Sequence, residues 1–123
     1  MARIAYLCTD LLFTSKIRET AAALGHSAAG SRDSSGLSEA ARGCDLVVVD
    51  LRLAAALDAL ERLRAAEETR EVPVVGFCDH QRTDLMERAR QAGCDRVLSK
   101  GNLASELRLL LSPGGEAKGG PGG

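Results

Sequence analysis

The sequence predicts a flavodoxin-like α/β domain, (βα)5, with a five-stranded parallel sheet in 2-1-3-4-5 order and helices on both faces. Three observations predict it. Short apolar runs alternate five times with amphipathic helical stretches across residues 1–112. The strongest run, Asp45-Leu46-Val47-Val48-Val49-Asp50, is β-branched and continuous, as in a strand buried on both faces. Right-handed crossovers and a short first unit then favour this strand order.

The elements follow in turn. Arg3 to Cys8 is an apolar run of strand length. Leu11, Leu12, Phe13, Ile17, Ala21 and Leu24 mark a helical face, with Thr9 or Asp10 as N-cap and Gly25 closing the helix. His26 to Ala29 is a weak second strand, followed by a polar loop over 31–36 and a short helix from Leu37 to Arg42. After the valine-rich third strand, Leu53 to Ala66 reads as helix, with Leu57, Leu60 and Leu63 on one side. Val72 to Phe77 is a buried strand that tolerates Pro73 near its start. Asp84 to Gln91 is a helix ended by Gly93, Arg96 to Ser99 the last strand, and Leu103 to Leu111 the last helix. Residues 113–123 hold six of the thirteen glycines and two of the three prolines, so a disordered tail is expected there.

Composition excludes several functions. Sixteen basic against seventeen acidic side chains leave no basic footprint for nucleic acid, and three aromatics offer no platform for stacking bases. No apolar run approaches the ~18 residues of a membrane span, and no signal peptide is evident, so a cytoplasmic protein is expected. Arginine outnumbers lysine 13 to 3, the bias of a GC-rich bacterial genome. Cys8, Cys44, Cys78 and Cys94 form no C-x-x-C pair and show no zinc-ligand spacing with His26 or His80, so they read as buried thiols. A thiol sensor built on Cys8 and Cys78 meets a distance problem: strands one and four lie about 9.5 Å apart in this order, beyond the ~7 Å Cα limit of a disulfide. Phosphate-cradling and nucleophile-elbow motifs are absent, so no enzyme is expected.

In such sheets, ligands gather beyond the carboxyl ends of the strands, which directs attention to Cys8, Thr9, Asp10, Asp50, Cys78, Asp79, Lys100 and Gly101. An aspartate ending the third strand and a lysine ending the fifth are the arrangement of bacterial response-regulator receiver domains of the CheY-like kind. The chain resembles that family over about residues 2–112, through Asp45–Asp50, Val72–Cys78 and Gln91–Lys100.

The resemblance implies that Asp50 stands at the phosphoacceptor position and Lys100 at the family's lysine. It also implies a magnesium ion held by an acidic pair after the first strand; here those positions fall on Cys8 and Thr9, with Asp10 one place late. The hydroxyl residue ending the fourth strand is Cys78, the switch aromatic is Val97, and the proline after the lysine is Gly101. The chain therefore reads as a degenerate pseudo-receiver with no resident cofactor, where magnesium would enter only if Asp10 reached the site. Asp50 and Lys100 are expected to form a salt bridge without a metal.

Two functions stay open. One is a phosphorylation-independent protein-interaction module in bacterial signal transduction, docking a protein partner, such as a kinase or output protein, on the fourth helix, fifth strand and fifth helix. Arg88, Arg90, Arg96 and Arg108 give that face a positive cast. The alternative is a working phosphoacceptor at Asp50 in a two-component phosphorelay. Nucleic-acid and membrane partners are not expected, and the sequence leaves the oligomeric state open.

Overall fold

The computed structural model describes residues 1–112; the expected tail, 113–123, lies outside the described residues. The chain runs β1 (Arg3–Leu7), α1 (Leu11–Ala23), β2 (Ser27–Ser31), α2 (Ser34–Ala41), β3 (Leu46–Asp50), α3 (Ala56–Ala65), β4 (Val74–Cys78), α4 (Thr83–Gln91), β5 (Arg96–Ser99), a 3₁₀ turn (Lys100–Asn102) and α5 (Leu103–Leu111). All neighbouring strands pair in parallel, in the order β2-β1-β3-β4-β5.

Strand parity sorts the core into two layers. Side chains alternate between faces along a strand, so Ala5, Leu7, Val47, Val49, Val74 and Cys78 join Leu37, Ala41, Leu60, Leu63, Leu85 and Ala89 from α2, α3 and α4. Ile4, Tyr6, Cys8, Val48, Val75, Phe77 and Leu98 join Phe13, Ile17, Ala21, Leu103 and Leu107 from α1 and α5. Cys8 and Cys78 thus lie on opposite faces of the sheet, and all four cysteines are free thiols.

Several boundaries differ from the sequence expectation for identifiable reasons. The α2 helix starts within the expected polar loop because Asp33 caps it, accepting the Gly36 amide at 2.7 Å. Strand β2 is Ser27–Ser31, starting one residue and ending two residues further along, because Ser27 to Ser31 pair in register with all of β1. The α3 helix starts at Ala56 rather than Leu53, because residues 51–55 turn back over the top of the sheet, with the Leu53 amide on the Asp50 carbonyl at 3.2 Å. Asp10, not Thr9, caps α1: its Oδ1 accepts the amides of Leu12 and Phe13 at 2.9 and 3.3 Å.

At the opposite end of the sheet, Arg64 ties two loops together, those before β4 and before β5. Its guanidinium donates to the carbonyls of Val72 (2.7 Å), Arg70 (2.9 Å) and Gly93 (2.9 Å) and to Asp95 Oδ2 (2.9 Å).

Gly76, in the middle of β4, matters for the site above it. A Cβ there would come within 2.9 Å of three atoms of the Leu51 side chain, which is itself buried. Glycine lets Leu51 lie against β4 and so seats the turn that follows Asp50. Gly76→Ala is expected to lower stability by about 1–3 kcal/mol through overpacking. Gly101→Ala, which meets open space, should stay within about 0.5 kcal/mol. Urea unfolding midpoints of the two variants compare them directly.

Candidate functional site

The site grows from the last residue of β3. Asp50 shares the parity of Val48 and pairs in register with Phe77, which points its carboxylate toward the α1 side of the sheet. That side chain is only 2% exposed. A carboxylate so buried requires a cation or a set of donors, and the chain supplies both from a single residue two places on.

Arg52 grips Asp50 as a fork. Its Nε donates to Oδ1 and its Nη2 to Oδ2, each at 2.8 Å, and its backbone amide donates to Oδ1 at 3.0 Å. Two parallel charge-assisted bonds are the strongest geometry available between these side chains. The hydrogen bonds to Asp50, foremost among the causes, push the Arg52 guanidinium well above its ordinary pKa.

Arg52 is itself held in place. Its guanidinium carbon lies 4.9 Å from the Phe13 ring centroid and 5.8 Å from that of Phe77, and the two rings are 5.3 Å apart. Each ring face attracts a cation that is partly withdrawn from water. Nη2 also lies 3.5 Å from Asp10 Oδ2, so one nitrogen touches a carboxylate oxygen of each acid.

The structure brings Asp10 to the site, though one of its oxygens is spent on capping α1. Its pKa is lowered, chiefly by the Phe13 amide, then by the Leu12 amide and Arg52. Cys8, just beyond β1, closes the site: its Sγ is 3.9 Å from Asp50 Oδ2 and 3.7 Å from the Asp10 carbonyl. Burial raises its pKa, as it does for Cys78, so both thiols are protonated at neutral pH. Thr9 is exposed.

Lys100 does not pair with Asp50, as the sequence had suggested. Its Nζ lies 2.8 Å from Asp79 Oδ1, just beyond β4, and this hydrogen bond is the main reason the Asp79 pKa is lowered. Geometry explains the choice: β4 stands between β3 and β5, so a lysine following β5 meets the acid after β4 first. Cys78 is buried on the α2–α4 face, Val97 is half-buried against the same layer, and Gly101 sits in the open 3₁₀ turn.

The four candidate partner-surface arginines occupy different settings. Arg88 and Arg90 are about 200° apart around α4. Arg88 lines a groove with Leu57 and Glu61 of α3, and Arg90 lies 3.6 Å from Glu87. Arg96 is 13% exposed and sits 3.8 Å from Glu106, whereas Arg108 is exposed on α5.

The residues at the site do not suit a magnesium ion. A hard divalent cation takes oxygen ligands in octahedral array, whereas the space beside Asp50 holds a guanidinium and a thiol. Among the described residues, no group of three or more His, Cys, Asp or Glu side chains is placed to hold a metal.

Arg52 was missed by sequence reasoning, which weighed Lys100 as the only nearby cation. The available signal was local: an Asp-x-Arg at the end of a buried strand, with the arginine the only cation between Asp50 and Arg62.

No protein-family model matches the chain, and no curated protein is significantly similar to it. Solved structures are similar. The receiver domain of the sensor histidine kinase PA1611 from Pseudomonas aeruginosa superposes with a TM-score of 0.79 at 23% identity, over 89% of this chain and 93% of that one; it carries a magnesium ion in its active-site cleft. The chemotaxis protein CheY4 of Vibrio cholerae gives 0.76 at 13% identity, over 88% and 97%. The chain has the receiver-domain fold. The match to NtrX from Brucella abortus, with a TM-score of 0.74 at 21% identity, spans 86% of this chain and 25% of NtrX.

Removing Arg52 should orphan a buried charge. Arg52→Ala is expected to cost about 2–4 kcal/mol, toward the low end for a broken buried pair because the guanidinium is itself partly solvated. The Asp50→Asn/Arg52→Ala double variant should recover part of that loss, which a double-mutant cycle on unfolding free energies measures.

Acid should weaken the site through Asp10. A carboxyl whose folded pKa is lowered contributes stability above its unfolded pKa and loses it as pH falls through the folded value. Asp10→Asn keeps a good N-cap but removes the charge. Its stability should therefore fall less steeply than wild type below about pH 4, as followed by thermal unfolding against pH.

Proposed function

We propose that the chain is a protein-interaction module of bacterial signal transduction that uses the receiver fold without phosphorylation. One observation carries this reading: the carboxylate at the phosphoacceptor position is already gripped by the Arg52 fork. A phosphoryl group attacked by Asp50 would need Oδ1 or Oδ2 free and a cation ready to neutralise incoming charge. Both oxygens are bonded, and the nearest cation is spent on the aspartate itself.

The rest of the switch apparatus is also altered. Lys100 is committed to Asp79, the position of the donor hydroxyl carries Cys78, and Val97 stands where an aromatic would report the state of the site. A module of this kind is not an enzyme and recognises a protein partner, a kinase or an output protein, by its standing surface. The face built from α4, β5 and α5, with exposed Arg90 and Arg108, is the surface assigned to that partner. No helix among the described residues is long and apolar enough to cross a membrane.

The second reading, a phosphoacceptor at Asp50, draws on one observation: the Asp10 carboxylate does reach the site, 3.5 Å from Arg52. Backbone amide NMR separates the two. With magnesium and beryllofluoride, the interaction-module reading expects no shifts around Asp50, Cys78 and Lys100, and no incorporation of phosphate from acetyl phosphate. Shifts centred on those residues and lost in Asp50→Asn would establish the acceptor instead.

A further inference from the structure

We infer that Arg52 is the resident cation of this site: it stands, within the same chain, where a divalent ion would otherwise neutralise Asp10 and Asp50, and by standing there it excludes such an ion. The inference rests on the interaction-module reading and deepens it, because it names what replaces the metal and what the site would accept without that replacement.

Three features carry it. The first is the bridging role of one atom. Nη2 lies 2.8 Å from Asp50 Oδ2 and 3.5 Å from Asp10 Oδ2, so a single positively charged group serves carboxylate oxygens from β3 and from the β1–α1 loop. A magnesium ion is commonly held by one or two carboxylates and completes its shell with water, and bridging these two acids is the service it would perform here.

The second is the tether. Arg52 is two residues from Asp50, and its backbone amide is bonded to the same carboxylate. The cation is therefore present at an effective concentration that a free ion cannot match at ordinary levels. The third is the seat. Phe13 and Phe77 flank the guanidinium, and Leu51 on Gly76 fixes the turn that delivers it. Ring faces favour an arginine over a strongly hydrated metal ion, which would have to shed water to approach them.

The consequence is specific to the charge and position of Arg52. Without it, two carboxylates face each other across the space it filled, and one of them is buried. That pair should then draw in a divalent cation, whereas wild type should not. An uncharged side chain that keeps the methylene stem and an amide donor, Arg52→Gln, leaves the acids unneutralised while filling more of the space than alanine, so it tests the charge even if Arg52→Ala folds poorly.

The experiment is a magnesium chloride titration of wild type, Arg52→Ala and Arg52→Gln, each against sodium chloride at matched ionic strength. Backbone amide shifts and thermal unfolding are followed together at neutral pH. The expected result is no site-centred shift in wild type, but saturable shifts at Cys8, Asp10, Asp50 and Leu51 in a folded variant, with magnesium restoring melting temperature beyond the sodium control. Asp50→Asn added to either variant should abolish both effects.

Equal magnesium response in wild type would overturn the exclusion. Folded variants that ignore magnesium would overturn the idea that Arg52 occupies a cation's place, yet they would leave the interaction-module reading standing. That reading fails separately, by phosphate incorporation at Asp50 in wild type.

Discussion

A carboxylate buried at the end of the central strand is the constraint on which this structure turns. Asp50 cannot remain charged there without compensation, and its neighbourhood is arranged around that need. The fork from Arg52 neutralises it, Asp10 joins from the next loop, and Phe13 with Phe77 hold the guanidinium over it. Leu51, seated on Gly76, sets the turn that makes the reach short. A change at any of these positions acts on the same pair of charges.

This arrangement satisfies the buried carboxylate from within the chain. The end of the central strand carries its own cation, supplied by Arg52 two residues on. An ion taken from solution can arrive and leave, and with it the state of the surrounding loops. A tethered guanidinium removes that degree of freedom, in keeping with the proposed recognition of a partner by a standing surface.

Much of the architecture was legible in the sequence because it depends on signals that act over a few residues. Continuous β-branched runs marked β3 and β4, and helical spacing in α1 marked Phe13, Ile17 and Ala21 as buried. The strand order followed from chain connectivity. Boundaries failed where a side-chain cap outweighed propensity, as when Asp33 started α2 inside a run of Ser and Gly. The position of Asp50 was legible too, but its partner was not. Choosing between Lys100 and Arg52 depends on how the turn after Asp50 folds the Arg52 side chain back onto the carboxylate, for which the Asp-x-Arg spacing was only a local hint. For Cys8 and Cys78 the strand order had already set a distance, and the folded sheet adds that they lie on opposite faces.

The central claim, that Arg52 is locked on Asp50, is tested most directly by the arginine side-chain region of a proton–nitrogen NMR spectrum. Among the thirteen arginines, a free guanidinium rotates quickly and its protons exchange with water. The account predicts that the Arg52 Nε–H is slowly exchanging with hindered guanidinium rotation, and that both properties disappear in Asp50→Asn. An Arg52 signal as averaged as those of exposed Arg32 and Arg70 would contradict it.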